Sequence, residues 1–294
     1  MNRRIFVSTL TTLTQPGEWE TLINSGMGVE IFAEGPEWRD FDEGISLAKA
    51  YLRHHKGPRS LHAPFYDLNL ASENYSSLRE LSFRILQHAL ERAPELECEY
   101  MVIHPHSGSS RVFESSRTKQ WIKVALNHLA GKARQVGVKL AIENVGYGPA
   151  QLFDAREFVE LIYEIDGVVG LLDVGHAHLN GWDIPEVIGR LGEKLVALHL
   201  HDNWGQVDEH LPVGRGSIDF RPIWEALAEA PARPVLVLEY YNVPVQETLN
   251  DANYLQKIFG EPLMKTGALS TNHGKQKAIL GEVVYEGRQP LHEP

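Results

Sequence analysis

The sequence predicts an α/β fold of the (β/α)8 TIM-barrel type. Short apolar runs alternate with amphipathic stretches along most of the chain, which is the pattern of repeated strand-helix units. Eight such units fit into about 260 residues, the usual size of a single (β/α)8 barrel. An open, doubly wound sheet of eight parallel strands is the structural alternative.

Eight apolar runs, each three to five residues long, mark the predicted strands. Val, Ile or Leu is prominent in most of them, as expected for parallel strands that are buried on both faces. In chain order the predicted strands span residues 5–8, 29–33, 60–62, 100–104, 139–143, 170–173, 196–199 and 235–239.

Helical segments follow the strands, and two of them carry recognisable start signals. Asp154 followed by Glu157 has the spacing of a capping box. Ser217 or Asp219 is positioned to cap the helix of the seventh unit. The last helix is expected from about residue 246 to residue 259, and the helical pattern fails after it. We therefore assign residues 1–260 to one barrel domain and 261–294 to a C-terminal tail.

Composition restricts the class of protein. The chain has 294 residues, of which 43% are hydrophobic, enough for a large core. Its formal net charge of −11 makes a nucleic-acid partner unfavourable, because nucleic-acid-binding surfaces are usually basic. No apolar run reaches the ~18 residues that a membrane-spanning helix requires. The single cysteine, Cys98, cannot form an internal disulfide, so a reducing, cytoplasmic location is expected.

Polar side chains stand at the ends of six consecutive predicted strands. In a (β/α)8 barrel the carboxyl ends of all strands meet at one face, where the active sites of barrel enzymes lie. One carboxylate or imidazole at such a position is usually structural, whereas six in succession indicate a shared site. In chain order they are His62, His104, Glu143, Asp173, His199 and Glu239.

Three of these residues are carboxylates, which are costly to bury together without a positive partner. Glu143, Asp173 and Glu239 would otherwise repel one another, and the repulsion would raise one or more of their pKa values. A divalent cation removes that problem. Carboxylate oxygens combined with an imidazole favour Mn²⁺, Co²⁺, Zn²⁺ or Mg²⁺ over a soft metal.

The strand ends resemble those of the xylose-isomerase-like TIM barrel superfamily. This superfamily contains sugar and sugar-phosphate isomerases and epimerases, together with endonuclease IV, the family 2 abasic-site (AP) endonuclease. The resemblance covers roughly residues 5–259. Its motifs are Leu-His-Ala-Pro at 61–64, Ile-His-Pro at 103–105, Ile-Glu-Asn at 142–144, Asp-Val-Gly-His at 173–176, His-Leu-His-Asp at 199–202, Asp-Glu-His-Leu-Pro at 208–212, Gly-Arg-Gly-Ser-Ile-Asp at 214–219 and Leu-Glu at 238–239.

The resemblance implies two sets of ligands. In the ketose 3-epimerases four residues hold one metal ion, and the two glutamates among them move the proton. The matching residues are Glu143, Asp173, His199 and Glu239. Endonuclease IV holds three zinc ions with nine ligands, which adds five positions for metal or substrate binding. These are His62, His104, His176, Asp208 and His210.

Two stretches depart from the epimerase pattern. Residues 203–206 lack the Arg that contacts substrate after the seventh strand, and residues 145–149 lack a second Glu after the fifth. The identity of the sugar therefore stays open.

The resulting hypothesis is an enzyme, a metal-dependent isomerase or epimerase acting on a small sugar or sugar phosphate. Glu143 and Glu239 would exchange the proton beside a metal-bound carbonyl, with Mn²⁺, Co²⁺ or Zn²⁺ as the cofactor. Phe65, Tyr66 and Trp204 are candidates for packing on the sugar. A homodimer is an expected assembly. Two alternatives remain open: a zinc phosphodiesterase of the endonuclease IV type that cleaves abasic DNA, and a non-catalytic barrel that binds metal or sugar.

Overall fold

Eight parallel strands close into a barrel in a computed structural model that describes residues 4–15, 17–107 and 111–260. Each strand pairs with its neighbours in chain order, and the last strand pairs with the first. This closure confirms the predicted barrel and rules out the open sheet. The strands are β1 (Ile5–Ser8), β2 (Gly28–Phe32), β3 (Arg59–His62), β4 (Tyr100–Ile103), β5 (Lys139–Glu143), β6 (Val168–Asp173), β7 (Leu195–Leu200) and β8 (Val235–Leu238).

Helices follow the strands, as the alternating pattern predicts. The capping box is present, since Asp154 accepts from the Glu157 amide and the Glu157 side chain accepts from the Asp154 amide. Asp219, rather than Ser217, is the cap of the predicted seventh-unit helix. The α-helices of the described residues are α1 (Trp19–Asn24), α2 (Phe41–Leu52), α3 (Ser76–Arg92), α4 (Ser115–Val136), α5 (Ala155–Glu164), α6 (Val174–Leu179), α7 (Ile184–Leu191), α8 (Phe220–Glu229) and α9 (Val245–Gly260).

Side chains along each strand alternate between two apolar layers. The larger layer lies between the strands and the helices and contains, for example, Ile31, Leu61 and Leu198. The smaller layer fills the barrel interior, so the barrel is a packed core rather than a pore. Its buried members are Phe6, Tyr100, Val102, Ala141, Leu171, Ala197, Val235 and Val237.

Three further expectations concern membrane-spanning segments, the single cysteine and the tail. No helix in the described part of the chain combines the length and the apolar character needed to cross a membrane. Cys98 is buried and has no cysteine partner in this 294-residue sequence. The predicted tail, 261–294, lies outside the described residues.

Candidate metal centre

The candidate ligands point into the barrel because of the two-residue alternation along the strands. On β5 the side chain of Ala141 points into the barrel interior, so that of Glu143, two positions later, points there as well. The same step leads from an interior apolar residue to a candidate ligand on three further strands. The pairs are Leu171 and Asp173, Ala197 and His199, and Val237 and Glu239.

The four residues predicted to hold one ion meet around His199. Its Nδ1 atom lies 3.1 Å from a Glu239 oxygen, 3.6 Å from Glu143 and 3.7 Å from Asp173. All four side chains are buried, and His199 Nδ1 makes no hydrogen bond. A buried nitrogen that faces three carboxylates without a partner has the environment expected of a metal ligand.

Two histidines form a second group with Glu143. Its Oε2 atom lies 3.3 Å from His62 Nε2 and 3.2 Å from His104 Nε2. The three residues offer ligand atoms within 4.8 Å of one another, which is close enough for a shared ion. Glu143 thus belongs to both groups and could bridge two ions.

A third group forms around Asp208, in the segment that follows β7. One carboxylate oxygen lies 3.0 Å from His176 Nε2 and 3.1 Å from His210 Nε2. The other oxygen, Oδ1, is buried without a hydrogen-bond partner. All nine residues predicted from the sequence therefore converge at the carboxyl end of the barrel, in three adjoining groups.

Backbone carbonyls orient three of the candidate imidazoles. In each case Nδ1–H donates to a carbonyl oxygen, so that Nε2 is free to face the carboxylates. The pairs are His62 with Ala63, His176 with Asn144 and His210 with Glu239, at 3.0, 3.0 and 2.8 Å.

Asp173 also shapes the local backbone. Its Oδ1 atom accepts from the His176 amide at 2.6 Å and so caps α6, which presents His176 to the centre. The Asn144 side chain accepts from the Asp173 amide at 2.7 Å and donates to the Asp173 carbonyl at 3.0 Å. These bonds tie the ends of β5 and β6 together and keep two ligands in register.

The carboxylates of the site are held ionised. Burial alone would raise the pKa of the Glu143 carboxyl, but the positive potential and hydrogen bonds of His104, His199 and His176 hold that pKa well below its usual range. Burial would likewise raise the pKa of Asp208, but His176 and His210 hold it well below its ordinary value. At neutral pH these ionised groups could accept a proton or bind a metal ion.

Four of the five candidate histidines respond in the opposite sense, because nearby carboxylates raise their pKa values, whereas burial lowers the pKa of His104. Burial would lower the pKa of His210, but Asp208 and Glu239 raise it to about 9. His199 behaves in the same way, since burial opposes its charging while Glu239, Glu30 and Glu143 hold its pKa well above the ordinary value. Protons on the imidazoles thus neutralise the carboxylates in the absence of an ion, and a divalent cation can replace them.

The donor set fits a borderline or hard divalent ion. The three groups consist of five imidazoles and four carboxylates, and none of these donors is a thiolate. Such nitrogen and oxygen ligands suit Zn²⁺, Mn²⁺ or Co²⁺. The unpaired buried atoms His199 Nδ1 and Asp208 Oδ1 also point to ligands beyond those the protein supplies.

A cavity of about 790 Å³ opens above the centre, which is the size of a small-molecule site. Arg111 is the only Lys or Arg among the described residues that line it. Phe65 and Tyr66 border it, and the Phe65 ring centroid lies 4.4 Å from that of His104. Trp204 does not line the cavity and is 60% exposed, so the structure does not bring this predicted sugar-packing residue to the site.

Glu30, which the sequence-based prediction missed, lies beside His199 and Glu239. It lies mid-strand in β2, is fully buried, and accepts from His199 Nε2 at 2.7 Å. A carboxylate inside the apolar run 28–32 was the available signal, because such a residue needs a partner.

His201 was also missed as a site residue, although it lies in the His-Leu-His-Asp motif. Its Nε2 atom lies 2.9 Å from an oxygen of Asp173, and its ring stacks on His210 with centroids 4.0 Å apart and an interplanar angle of 19°. Its Nδ1 atom is buried without a hydrogen-bond partner, and His201, His210 and Glu239 offer ligand atoms within 4.8 Å of one another. His201 is therefore a further candidate ligand.

Asp202 organises the segment that carries Asp208 and His210. Its buried carboxylate accepts four backbone amide hydrogens at distances from 2.8 to 3.1 Å. The donors are Asn203, Gly214, Gly216 and Ile218. These four bonds hold the backbone of the segment in place. The spacing of residues in the sequence does not predict them.

Known proteins resemble the chain over most of the barrel. An uncharacterized protein of Methanocaldococcus jannaschii is 30% identical over 195 residues, covering 62% of this chain and 64% of that protein, slightly less than two thirds of its length. Endonuclease 4 of Thermus thermophilus is 30% identical over 207 residues, covering 64% of this chain and 73% of that protein.

A similar solved structure is that of a D-tagatose 3-epimerase-like protein, with a TM-score of 0.73 and 25% sequence identity. It covers 96% of this chain and 99% of that chain. The family described as xylose isomerase-like TIM barrel matches residues 26–258. With this match and the closed barrel, the chain belongs to the xylose isomerase-like TIM barrel family.

Proposed function

We propose that the chain is a divalent-metal-dependent isomerase or epimerase that acts on a small sugar or sugar phosphate. The carrying observation is the position of Glu143 and Glu239, which both border a small-molecule cavity while Asp173 and His199 are covered beneath them. Two ionised carboxylates beside one polarising centre are what proton transfer next to a carbonyl requires.

Each residue has a distinct part in this proposal. Glu143, Asp173, His199 and Glu239 would hold an ion, which when bound supplies Lewis-acid polarisation of the substrate carbonyl. Glu143 and Glu239 border the cavity from β5 and the end of β8, and one would accept the proton from carbon while the other returns it. Both carboxylates border the cavity, so a proton held on either of them can exchange with solvent.

The cavity wall suggests how the substrate is held. Phe65 and Tyr66, with ring centroids 4.4 Å apart, offer an apolar face for a sugar ring. Arg111 offers a positive charge at the same cavity and would favour a substrate with an anionic group. Both features support a polyol or its phosphate.

Glu239→Gln tests the proton-transfer assignment. We expect solvent deuterium incorporation next to the carbonyl to fall at least about 100-fold, because an amide cannot accept the proton. The measurement is NMR of ketopentoses, ketohexoses and their phosphates in deuterium oxide, with Mn²⁺, Co²⁺, Mg²⁺ or Zn²⁺ added.

Glu18→Gln is the control, since this partly buried carboxylate before α1 lies outside the metal groups and does not line the cavity. It should leave exchange within about threefold of wild type. Wild-type exchange in Glu239→Gln, with Glu18→Gln equally active, would refute the assignment.

A zinc phosphodiesterase of the endonuclease IV type is the second candidate. The group of His62, His104 and Glu143 favours it, because it provides ligands for an ion beyond the one an epimerase needs. Two observations oppose it: Arg111 alone among the Lys and Arg of the described chain lines the cavity, and the net charge is −11, whereas DNA phosphates require several cations. Three zinc ions per chain together with incision of abasic DNA would select this candidate over the sugar enzyme.

A further inference from the structure

A carboxylate lies in the barrel interior below the candidate ligands, on a strand that contributes none of them. Glu30 of β2 is fully buried, and both of its oxygens are engaged. Oε1 accepts from His199 Nε2 at 2.7 Å and Oε2 accepts from the Ser60 hydroxyl at 2.8 Å.

The fold alone does not call for this residue. The neighbouring interior layer is apolar, and an aliphatic side chain would fill the position without the cost of burying a charge. A buried carboxylate of this kind is strongly coupled to its partner, here the imidazole of His199. The effect of Glu30 is therefore expected on the imidazole of His199.

His199 is oriented differently from the other candidate imidazoles. His62 and His210 each donate Nδ1–H to a backbone carbonyl and turn Nε2 to the carboxylates. His176 also donates Nδ1–H to a carbonyl, although that nitrogen lies 3.3 Å from Glu143, and turns Nε2 to Asp208. His199 turns Nδ1 to the carboxylates, and its Nε2–H meets the carboxylate of Glu30. The hydrogen bond at one imidazole nitrogen decides which tautomer is present and which nitrogen binds a metal.

We propose that Glu30 is a positioning residue that fixes His199 in the tautomer with hydrogen on Nε2, so that Nδ1 is the ligand of the central ion. A charged acceptor polarises the N–H bond more than a carbonyl does and makes Nδ1 a stronger donor to the ion. The inference rests on the metal centre of the proposed function and extends it to a residue that does not touch the ion.

Metal affinity of two Glu30 variants tests this role. We expect Glu30→Gln to weaken Zn²⁺ binding about 10-fold and Glu30→Ala about 100-fold, the range typical of lost partners of metal-bound histidine. Ser60→Ala is the control, because it removes the other partner of Glu30 and leaves the His199 contact; it should stay within about threefold of wild type. The measurement is competition with a chromogenic chelator, with the Tm of each metal-free variant recorded alongside.

A spectroscopic readout separates positioning from general damage. With ¹⁵N-labelled histidine and bound ¹¹³Cd²⁺, scalar coupling identifies the ligating nitrogen of His199, and His199→Gln assigns the signal. We expect coupling through Nδ1 in wild type. It should be weakened or lost in Glu30→Ala and retained in Ser60→Ala. Glu30→Gln keeps the shape of the side chain and serves if Glu30→Ala does not fold.

Three results overturn the inference. They are coupling through Nε2 in wild type, unchanged affinity in both Glu30 variants, and an equal loss of affinity in Ser60→Ala. Each of them leaves the proposed function standing, provided that wild type binds metal. A wild-type chain that binds no ion overturns the proposed function and this inference together, whereas absent isomerase activity with these couplings intact counts only against the proposed function.

Discussion

Gly175 occupies a position where a side chain has no room. A Cβ atom built there would lie 2.0 Å from Cε1 of His201, the ring that contacts Asp173 and stacks on His210. The ring cannot retreat without losing its bond to Asp173. The glycine of the Asp-Val-Gly-His motif is thus explained by a buried imidazole that directly follows the next strand, β7.

Gly175→Ala should therefore disturb stability and metal binding together. We expect a loss of about 1–3 kcal/mol in the free energy of unfolding, the usual cost of overpacking, and weaker Zn²⁺ binding. Urea denaturation of the metal-free protein and a metal titration measure the two effects.

Gly189→Ala is the control for that substitution. Gly189 lies in α7, and no atom lies within 4 Å of the place that an alanine methyl group would take. Alanine should therefore be neutral there or stabilise the helix by up to about 1 kcal/mol. If Gly175→Ala behaves like Gly189→Ala, then His201 is not held as described.

The sequence could predict which strand-end residues gather at the site. It could not predict the partner of a mid-strand residue or the direction of a loop side chain. The nine candidate ligands share a barrel end, and so their convergence follows from topology. Glu30 was missed because it lies in mid-strand, where polarity gives no hint of its partner 169 positions away. Trp204 was predicted to pack on the sugar, but side chains in loops have no period to orient them. Its side chain is exposed and does not line the cavity.

At the scale of elements, the segment after β7 depends on one buried side chain. Asp202 accepts four amide hydrogens from the backbone that carries Asp208 and His210. In Asp202→Asn an amide group would meet two of these donors, Gly214 and Gly216 or Asn203 and Ile218, and repel them.

Asp202→Asn should lower the free energy of unfolding by about 2–4 kcal/mol and reduce metal binding at the group around Asp208. Hydrogen–deuterium exchange should rise in residues 203–218. Asp219→Asn is the control, because asparagine is an equally good helix cap and α8 should keep its stability. Unchanged exchange in Asp202→Asn would contradict the anchoring role.

Strand positions were predicted closely, and the reason is physical. β1 and β5 have the predicted bounds, and the others differ by at most two residues at either end. Apolar runs buried on both faces leave little freedom, because a one-residue slip would turn each ligand out of the barrel. The start of β6 at Val168, two residues early, reflects pairing with β5 that begins at Leu140 and Val168.

For the molecule as a whole, charge balance at the centre sets a pH dependence. His210 has its pKa raised to about 9 in the folded chain, so its ion pairs contribute stability fully below about pH 6.5 and lose it as pH rises through about 9. Asp208 and Glu143 have lowered pKa values, so their contribution is present above about pH 4.5 and is lost in acid.

The metal-free protein should therefore be most stable near pH 5–7, with Tm falling by at least about 5 °C between pH 6 and pH 10. Zn²⁺ replaces the protons, so the rise in Tm on adding it should grow with pH up to about 9. Thermal scans with and without Zn²⁺ measure both trends. A metal-free Tm that rises steadily to pH 10 would contradict the charge assignment.

Binding of an ion by the closed barrel is the most direct test of the account. Isothermal titration of Zn²⁺ or Mn²⁺ into the chelator-treated chain should give saturable binding with at least one ion per chain. Asp173→Asn should weaken the tightest site at least about 100-fold, because it removes a buried charged ligand. No saturable binding by the wild-type chain, or equal affinity in Asp173→Asn, would contradict the claim that side chains from separate strands share a metal ion.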